Sequence, residues 1–279
     1  MPRDYDAILL DLDGTLLRSD ESLHPESRAA LAEAQAAGAV VMVATGRSKI
    51  SGLPIVEDLG LKTPAVFFNG CAIWDPEKAR MVEERTISNR TSERLHAWAN
   101  ERDAQVIVMT ADDKLTHEPR SDAERRNFEG FIGMRFADRA DLVQEYTIRL
   151  SFLVNGEEQD SAAIAAELEE AAGGPIYISH FPLSVLPRHR TNPYSAIDVH
   201  APCRGKAEGL RFLEETRGIP ASRVIAVGDA DNDVPMLRDA GLGVAMAGAF
   251  PEVKAEADLV IGSNDSPAIA ELIRAHLLG

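Results

Sequence analysis

Cysteine is scarce in this chain of 279 residues: Cys71 and Cys203 stand alone and far apart. That excludes a disulfide framework and points to a reducing compartment. No apolar stretch approaches the length of a membrane span. The opening MPRDYDA lacks the succession of basic, apolar and small residues of a signal peptide, so a cytoplasmic location is expected. Positive charge is also in deficit, with 29 Lys plus Arg against 45 Asp plus Glu and a net charge of -16. Such a balance argues against nucleic acid or anionic membrane as a partner. It also repels phosphate-bearing ligands at long range, so any anion site needs its own local positive charge. Internal repeats and low-complexity tracts are missing too. Apolar residues, at 45%, are ample for a buried core in one large domain or two.

Both ends of the chain alternate strand and helix signals. The apolar run Ala7-Ile8-Leu9-Leu10 has no alternation and reads as a strand buried on both faces. A helix is predicted over residues 25 to 37, with Pro25 at its start and Gly38 at its end. Strands follow at 39 to 44 and 65 to 68. In the C-terminal part, 205 to 217 reads as helix, 223 to 227 as strand and 233 to 240 as a short helix. Strands at 241 to 247 and 257 to 261 and a helix at 267 to 277 close the chain. Repeated βα units predict a Rossmann-like, doubly wound parallel sheet with its site at the carboxyl ends of the strands.

The middle differs. Residues 146 to 152 alternate polar and apolar, as in an antiparallel sheet with one solvated face. Helices at 91 to 102 and 160 to 172 are expected to cover the other face. The charged segment 111 to 126 reads as loop or exposed helix. PLSVLPRHRTNPYS, residues 182 to 195, holds three prolines and reads as a connector back to the core. The predicted architecture is an α/β core, residues 1–84 and 191–279, interrupted by an inserted α+β domain, residues 85–190.

Four pieces of the core carry chemistry. Asp11 and Asp13 leave the end of the first strand in DLDGT, with Gly14 supplying a tight turn. Two carboxylates so placed repel each other, and a cation, a shared proton or both must relieve them. Thr45-Gly46-Arg47 ends a second strand, where a hydroxyl and free backbone N–H groups make an anion site. Lys206 opens a helix after the strand Ile197-Asp198-Val199. Gly228-Asp229-Ala230-Asp231-Asn232-Asp233 is a dense carboxylate loop after another strand. Singly, each has a duller explanation: a helix cap for Thr45, a surface lysine for Lys206, a polar turn for the GDADND loop. Their succession at strand ends favours chemistry. Oxygen ligands combined with phosphate favour Mg²⁺ over zinc.

At these residues the chain resembles the haloacid dehalogenase superfamily, and within it the Cof-like sugar-phosphatase group. The resemblance rests on DLDGTLL (11–17), ATGR (44–47), FNG (68–70), Lys206 and GDADNDVPML (228–237). GLGVAMAGA (241–249) and ADLVIGSND (257–265) look like the group's closing segments. The likeness covers 1 to 84 and 191 to 279, while the insert agrees only in position and α+β nature. Lys206 in GKAEGL, Gly248 in place of a common Asn, and the missing Gly-Val after Asn264-Asp265 depart from the group's usual pattern. None of these removes a reacting group.

The resemblance implies that Asp11 is the nucleophile and forms an aspartyl-phosphate, while Asp13 serves as general acid and then base. It implies that Asp11, the backbone carbonyl of Asp13 and Asp229 hold Mg²⁺, and that Thr45, Gly46 and Lys206 bind the phosphoryl oxygens. Asn232 is expected on the phosphate or on Lys206. Asp233 is either a further metal ligand or a brace for Lys206, and Arg47 and Asn69 belong nearer the substrate or the loop framework. The insert is expected to be a cap that closes over the site and reads the leaving group. Arg188, with His189 and Arg190, is a candidate contact for a second anionic group, or else a basic connector on an acidic protein.

The leading expectation is a Mg²⁺-dependent phosphatase of small phosphorylated metabolites, sugar phosphates first. A phosphomutase acting on a hexose phosphate is the nearest alternative. A non-catalytic phosphometabolite sensor is another, disfavoured because a binding module needs no nucleophile. Monomer and homodimer both fit the sequence.

Overall fold

The computed structural model describes residues 4–126 and 128–278, and the chain divides into two compact units. The first comprises residues 4–47, 52–83 and 204–278; the second comprises 48–51 and the described part of 84–203. No helix among the described residues is long and apolar enough to cross a membrane.

The first unit holds a parallel five-stranded sheet in the spatial order Leu259–Ile261, Leu242–Met246, Val224–Gly228, Ala7–Leu10 and Val40–Val43. Ala7–Leu10 is buried along its whole length, as a run without alternation requires. Alternate residues feed two cores. Leu9, Met42, Ala226 and Ala245 join Leu210, Leu213, Met236 and Leu237 on one face. Ile8, Leu10, Val41, Val43 and Val227 on the other are equally sealed. Pro25–Ala36 and Ala268–His276 pack against each other. The first of these starts where Pro25 follows His24, whose Nδ1 accepts the Glu26 N–H at 3.3 Å. The strand at Ala65–Phe67 touches the parallel sheet through one bridge, Ala44 to Val66, and pairs antiparallel with Ala72–Asp75, beside which Arg80–Glu84 makes a third strand.

The second unit is built on six strands in the order Tyr177–Pro182, Tyr194–His200, Arg149–Asn155, Gln105–Met109, Lys114–His117 and Met134–Ala137. Neighbours run antiparallel except the last two, which are parallel. Two helices, Asn89–Glu101 and Ser161–Ala172, share a core with the sheet through Leu95, Trp98, Leu168, Phe152 and Ile197. Each helix is capped by the residue before it, Ser88 Oγ accepting from Thr91 N and Asp160 Oδ1 from Ala162 N.

Three expectations are corrected here. The sequence pattern puts the return to the core at residue 191, but Tyr194–His200 pairs on both sides within the second unit, and the changeover lies after Cys203. The proline-rich stretch is therefore a long connection between two antiparallel strands, a task for which prolines suit equally well. The segment 111 to 126 contains the buried strand Lys114–His117, whose polar side chains find partners inside: Thr116 Oγ1 donates to Val106 O and Lys114 Nζ to Ile132 O. The polar face of residues 146 to 152 is buried rather than solvated. Opposed in register, Ser151 Oγ donates to Asp198 Oδ1 at 2.5 Å and Arg149 Nε to His200 Nε2 at 2.7 Å. Arg149 also pairs with Asp198 at 3.1 Å, so no charge in the group is left alone.

Two outcomes are expected. Replacing residues 84–203 with a short linker should leave a soluble, folded first unit, whereas replacing only 86–189 should aggregate, because it leaves an apolar strand stripped of both neighbours. Equal solubility of the two deletions would contradict the boundary after Cys203. Burial, and then the Arg149 charge, hold the His200 pKa well below the ordinary histidine range. Below about pH 6.5 the unfolded chain takes up a proton that folded His200 refuses, so stability should fall by up to about 1.4 kcal/mol per pH unit. His200→Gln should flatten that slope in urea titrations across the acid range.

Candidate active site

Val224–Gly228, Ala7–Leu10 and Val40–Val43 are parallel neighbours whose ends lie level, Leu10 opposite both Val227 and Val43. The loops that follow, at 11–16, 45–47 and 229–233, must therefore emerge on one edge. Gly14 shapes the first loop. It has φ +75°, and a Cβ there would stand 2.2 Å from Asp229 Oδ2. Thr15, which the sequence reading gave no role, is buried beneath it and donates to Asp229 Oδ1 at 3.1 Å.

Lys206 lies in the turn Gly205–Ala207 at the head of the helix Glu208–Arg217, almost completely buried. Its Nζ donates to Asp11 Oδ1 and Asp233 Oδ1, each at 2.6 Å. The other oxygen of Asp233 accepts the backbone N–H groups of Asp229 and Ala230, at 2.9 and 3.0 Å. One oxygen of Asp233 thus holds Lys206 while the other closes its own loop.

Three carboxylates against one ammonium leave the cluster short of positive charge. Burial, ahead of the charges of Asp233, Asp229 and Asp13, pushes the Asp11 pKa well above the ordinary carboxylate range despite Lys206. Asp229 is pushed up to about 7, by burial first and by Asp233 second. Burial opposes the charge on Lys206, but Asp11 and Asp233 outweigh it and its pKa is raised. Asp11, Asp229 and Asp233 each offer an oxygen, all within 4.8 Å of one another. Hard donors carrying unbalanced negative charge fit a divalent cation.

Asp13 has a different setting. Arg47 grips it with two bonds, Nε to Oδ2 at 2.8 Å and Nη2 to Oδ1 at 2.6 Å, and reaches Glu21 Oε1 at 3.3 Å. Burial works against the Arg47 charge, and the bonds and charges of Asp13 and Glu21 outweigh it. The carboxylates of Asp11 and Asp13 thus face different cations.

The second loop differs from expectation in its backbone. Thr45 N donates to Val66 O and Arg47 N to Thr45 Oγ1, so those two N–H groups are already spent. Thr45 accepts in the second bond, which leaves its hydroxyl proton for a ligand. Gly46 faces two amides: a Cβ there would stand 2.9 Å from Asn69 Oδ1 and 3.5 Å from Asn232 Nδ2. Asn232 donates to Asn69 Oδ1 at 3.0 Å, and Asn69 holds the left-handed conformation that Asn tolerates best. Through this bond the two amides join the loop at 229–233 to the turn after Ala65–Phe67.

The first unit therefore brings together Asp11, Asp13, Thr45, Gly46, Arg47, Asn69, Lys206, Asp229, Asn232 and Asp233. Arg188 belongs to the second unit, where it is exposed in a one-turn helix, Pro187–His189. Its neighbour His189 is buried, its ring 4.5 Å from that of Phe131. Thr15 was legible within DLDGT. Glu21, one acidic residue in a polar loop, gave no signal.

A family model of haloacid dehalogenase-like hydrolases matches residues 8–273. The chain is 28% identical over 274 residues to the pyridoxal phosphate phosphatase YbhA of Escherichia coli (strain K12), spanning 97% of this chain and 98% of that one. It is likewise 28% identical over 284 residues to the 5-amino-6-(5-phospho-D-ribitylamino)uracil phosphatase YitU of Bacillus subtilis (strain 168), spanning 96% of each. A haloacid dehalogenase-like hydrolase from Bacteroides thetaiotaomicron superposes with a TM-score of 0.81 at 25% identity, over 97% of this chain and 99% of that one. With the strand-end carboxylates and the buried lysine in place, the chain belongs to the haloacid dehalogenase-like hydrolases, in their Cof-like group, and is a phosphoric monoester hydrolase.

Proposed function

We propose that this chain hydrolyses phosphomonoesters of small metabolites, sugar phosphates first among them, through a phosphoryl group carried on Asp11. The observation that carries the reading is the division of labour between neighbouring carboxylates: Asp11 is buried against Lys206, and Asp13 is held apart by Arg47. An oxygen of Asp11 attacks phosphorus while the bond to the leaving oxygen breaks, and Asp13 delivers the proton that oxygen needs. Asp13 then takes a proton from the water that attacks the aspartyl-phosphate, which releases inorganic phosphate and restores Asp11. Lys206 Nζ and the Thr45 hydroxyl are placed to hold phosphoryl oxygens with Gly46. Mg²⁺, held by Asp11, Asp229 and the backbone carbonyl of Asp13, would supply the positive charge that three carboxylates and one lysine lack. Asp233 acts by orienting Lys206. The named activities of YbhA and YitU support a small phosphorylated metabolite as substrate. Arg188 is a further candidate for a second anionic group of that substrate.

Asp11→Asn should abolish both phosphate release and any covalent phospho-enzyme. Asp13→Asn keeps the nucleophile, so an activated ester should still label Asp11, and hydrolysis should slow by roughly 10²–10⁴-fold for want of a base. Mass spectrometry of the quenched variant checks this, and a label on any residue but Asp11 would refute the mechanism. Release of an isomeric sugar phosphate in place of free phosphate would identify a mutase instead.

Asp229 retains a proton into the neutral range, and a cation must displace it. Calorimetric Mg²⁺ affinity should therefore rise with pH through the neutral range, where Asp229 gives up its proton. Asp229→Asn should weaken binding and remove most of that dependence. A native protein that binds Mg²⁺ equally well across this range would contradict the ligand assignment.

A further inference from the structure

The closing segment ADLVIGSND has no part in the chemistry above, yet its last two residues grip the loop that follows the catalytic aspartates. Residues 17 to 23 form a short hairpin, Leu17 bridged to Leu23 and Arg18 N donating to Ser22 O at 2.8 Å. Asn264 Nδ2 donates to Leu17 O at 2.8 Å. Asp265 accepts from Ser19 twice, from N at 2.9 Å and from Oγ at 2.8 Å, and lies 3.8 Å from Arg18 Nε.

Both ends of this hairpin bear on Asp13. Leu17, the first residue gripped, closes the turn that carries the aspartates, its N–H donating to Leu12 O at 2.8 Å. Glu21, at the tip, has φ +64° and meets Arg47 on the Nη2 that also holds Asp13. A residue without glycine's freedom keeps such a backbone only when its surroundings hold it there.

We propose that Asn264 and Asp265 are positioning residues that clasp the hairpin, so that Glu21 braces Arg47 and Arg47 holds Asp13 in register with the leaving group. The effect on turnover rests on the reading of Asp13 as the acid. The clasp itself does not.

The test uses the full chain with Asn264→Ala/Asp265→Ala, Asp265→Asn, Glu21→Gln and Asp13→Asn. Hydrogen exchange comes first: the double variant should exchange the Ser19 amide at least about tenfold faster, with strand Ala7–Leu10 unchanged. Asp265→Asn can still accept from Ser19 N and donate to Ser19 Oγ, and should exchange like the native chain. Turnover is then compared on p-nitrophenyl phosphate and on phenyl phosphate, whose leaving group needs protonation more. In the double variant and in Glu21→Gln the ratio of kcat/KM values, which reports phosphoryl transfer to Asp11 and not the hydrolysis step common to both esters, should rise about fivefold to tenfold in favour of the activated ester. Asp265→Asn should restore the native ratio. Unchanged Ser19 exchange refutes the clasp. Faster exchange with an unchanged ratio refutes its link to Asp13. If Asp13→Asn itself leaves the ratio unchanged, the acid assignment fails, and exchange alone still decides the clasp. Should the double variant not fold, Glu21→Gln decides the link to Asp13, and exchange in Asp265→Ala decides the clasp.

Discussion

Lys206 keeps a full positive charge at 1% exposure because Asp11 and Asp233 each place an oxygen 2.6 Å from its Nζ. Remove the lysine, and two buried carboxylates face each other with nothing between them. Remove either carboxylate, and a buried ammonium is left half-paired, a loss worth several kcal/mol. The bridge also ties together three stretches distant in the chain: the end of the first strand, the head of the helix Glu208–Arg217 and the loop after Val224–Gly228. The remaining contacts of the site are built around it.

The parallel sheet explains why one lysine can do this. Level strand ends bring short loops to a common edge, and rigid neighbours fix where each carboxylate stands. Within that edge the protein separates two chemically identical groups by giving them different cations. Asp11 sees a buried ammonium; Asp13 sees a half-buried guanidinium, itself shared with Glu21. Identity of side chain thus says little about role, and environment says nearly all.

That contrast separates what could be read from the sequence from what could not. Ala7–Leu10 and Val224–Gly228 were legible because a strand buried on both faces has no alternative to an unbroken apolar run. Their loops were legible because carboxylates at strand ends need compensation. Tyr194–His200 reads from its sequence as part of the core because it leads directly to Lys206, and only its pairing with Arg149–Asn155 decides otherwise. The strand Lys114–His117 was missed because its Lys and Thr are satisfied by main-chain carbonyls contributed from elsewhere in the unit. Glu21 was invisible for a related reason, since its meaning lies in Arg47, distant in the chain. In each case the missing information was a partner, and a single sequence does not list partners.

The pairing of Ala7–Leu10 with Val224–Gly228 has a consequence for the order in which the protein is made. A chain synthesised from its amino end produces the strand leading to Asp11 well before the central neighbour of that strand. Every strand of the second unit's sheet, and both of its main helices, emerge in between and find all their pairing partners among themselves. That unit can therefore complete its fold while the first is still an open sheet of Ala7–Leu10 and Val40–Val43. Asp11 meets neither Lys206 nor Asp229 until the segments that follow the second unit have been made. The assembly of the carboxylate and lysine cluster thus waits on the second unit, and a product truncated before Lys206 carries Asp11 without either partner.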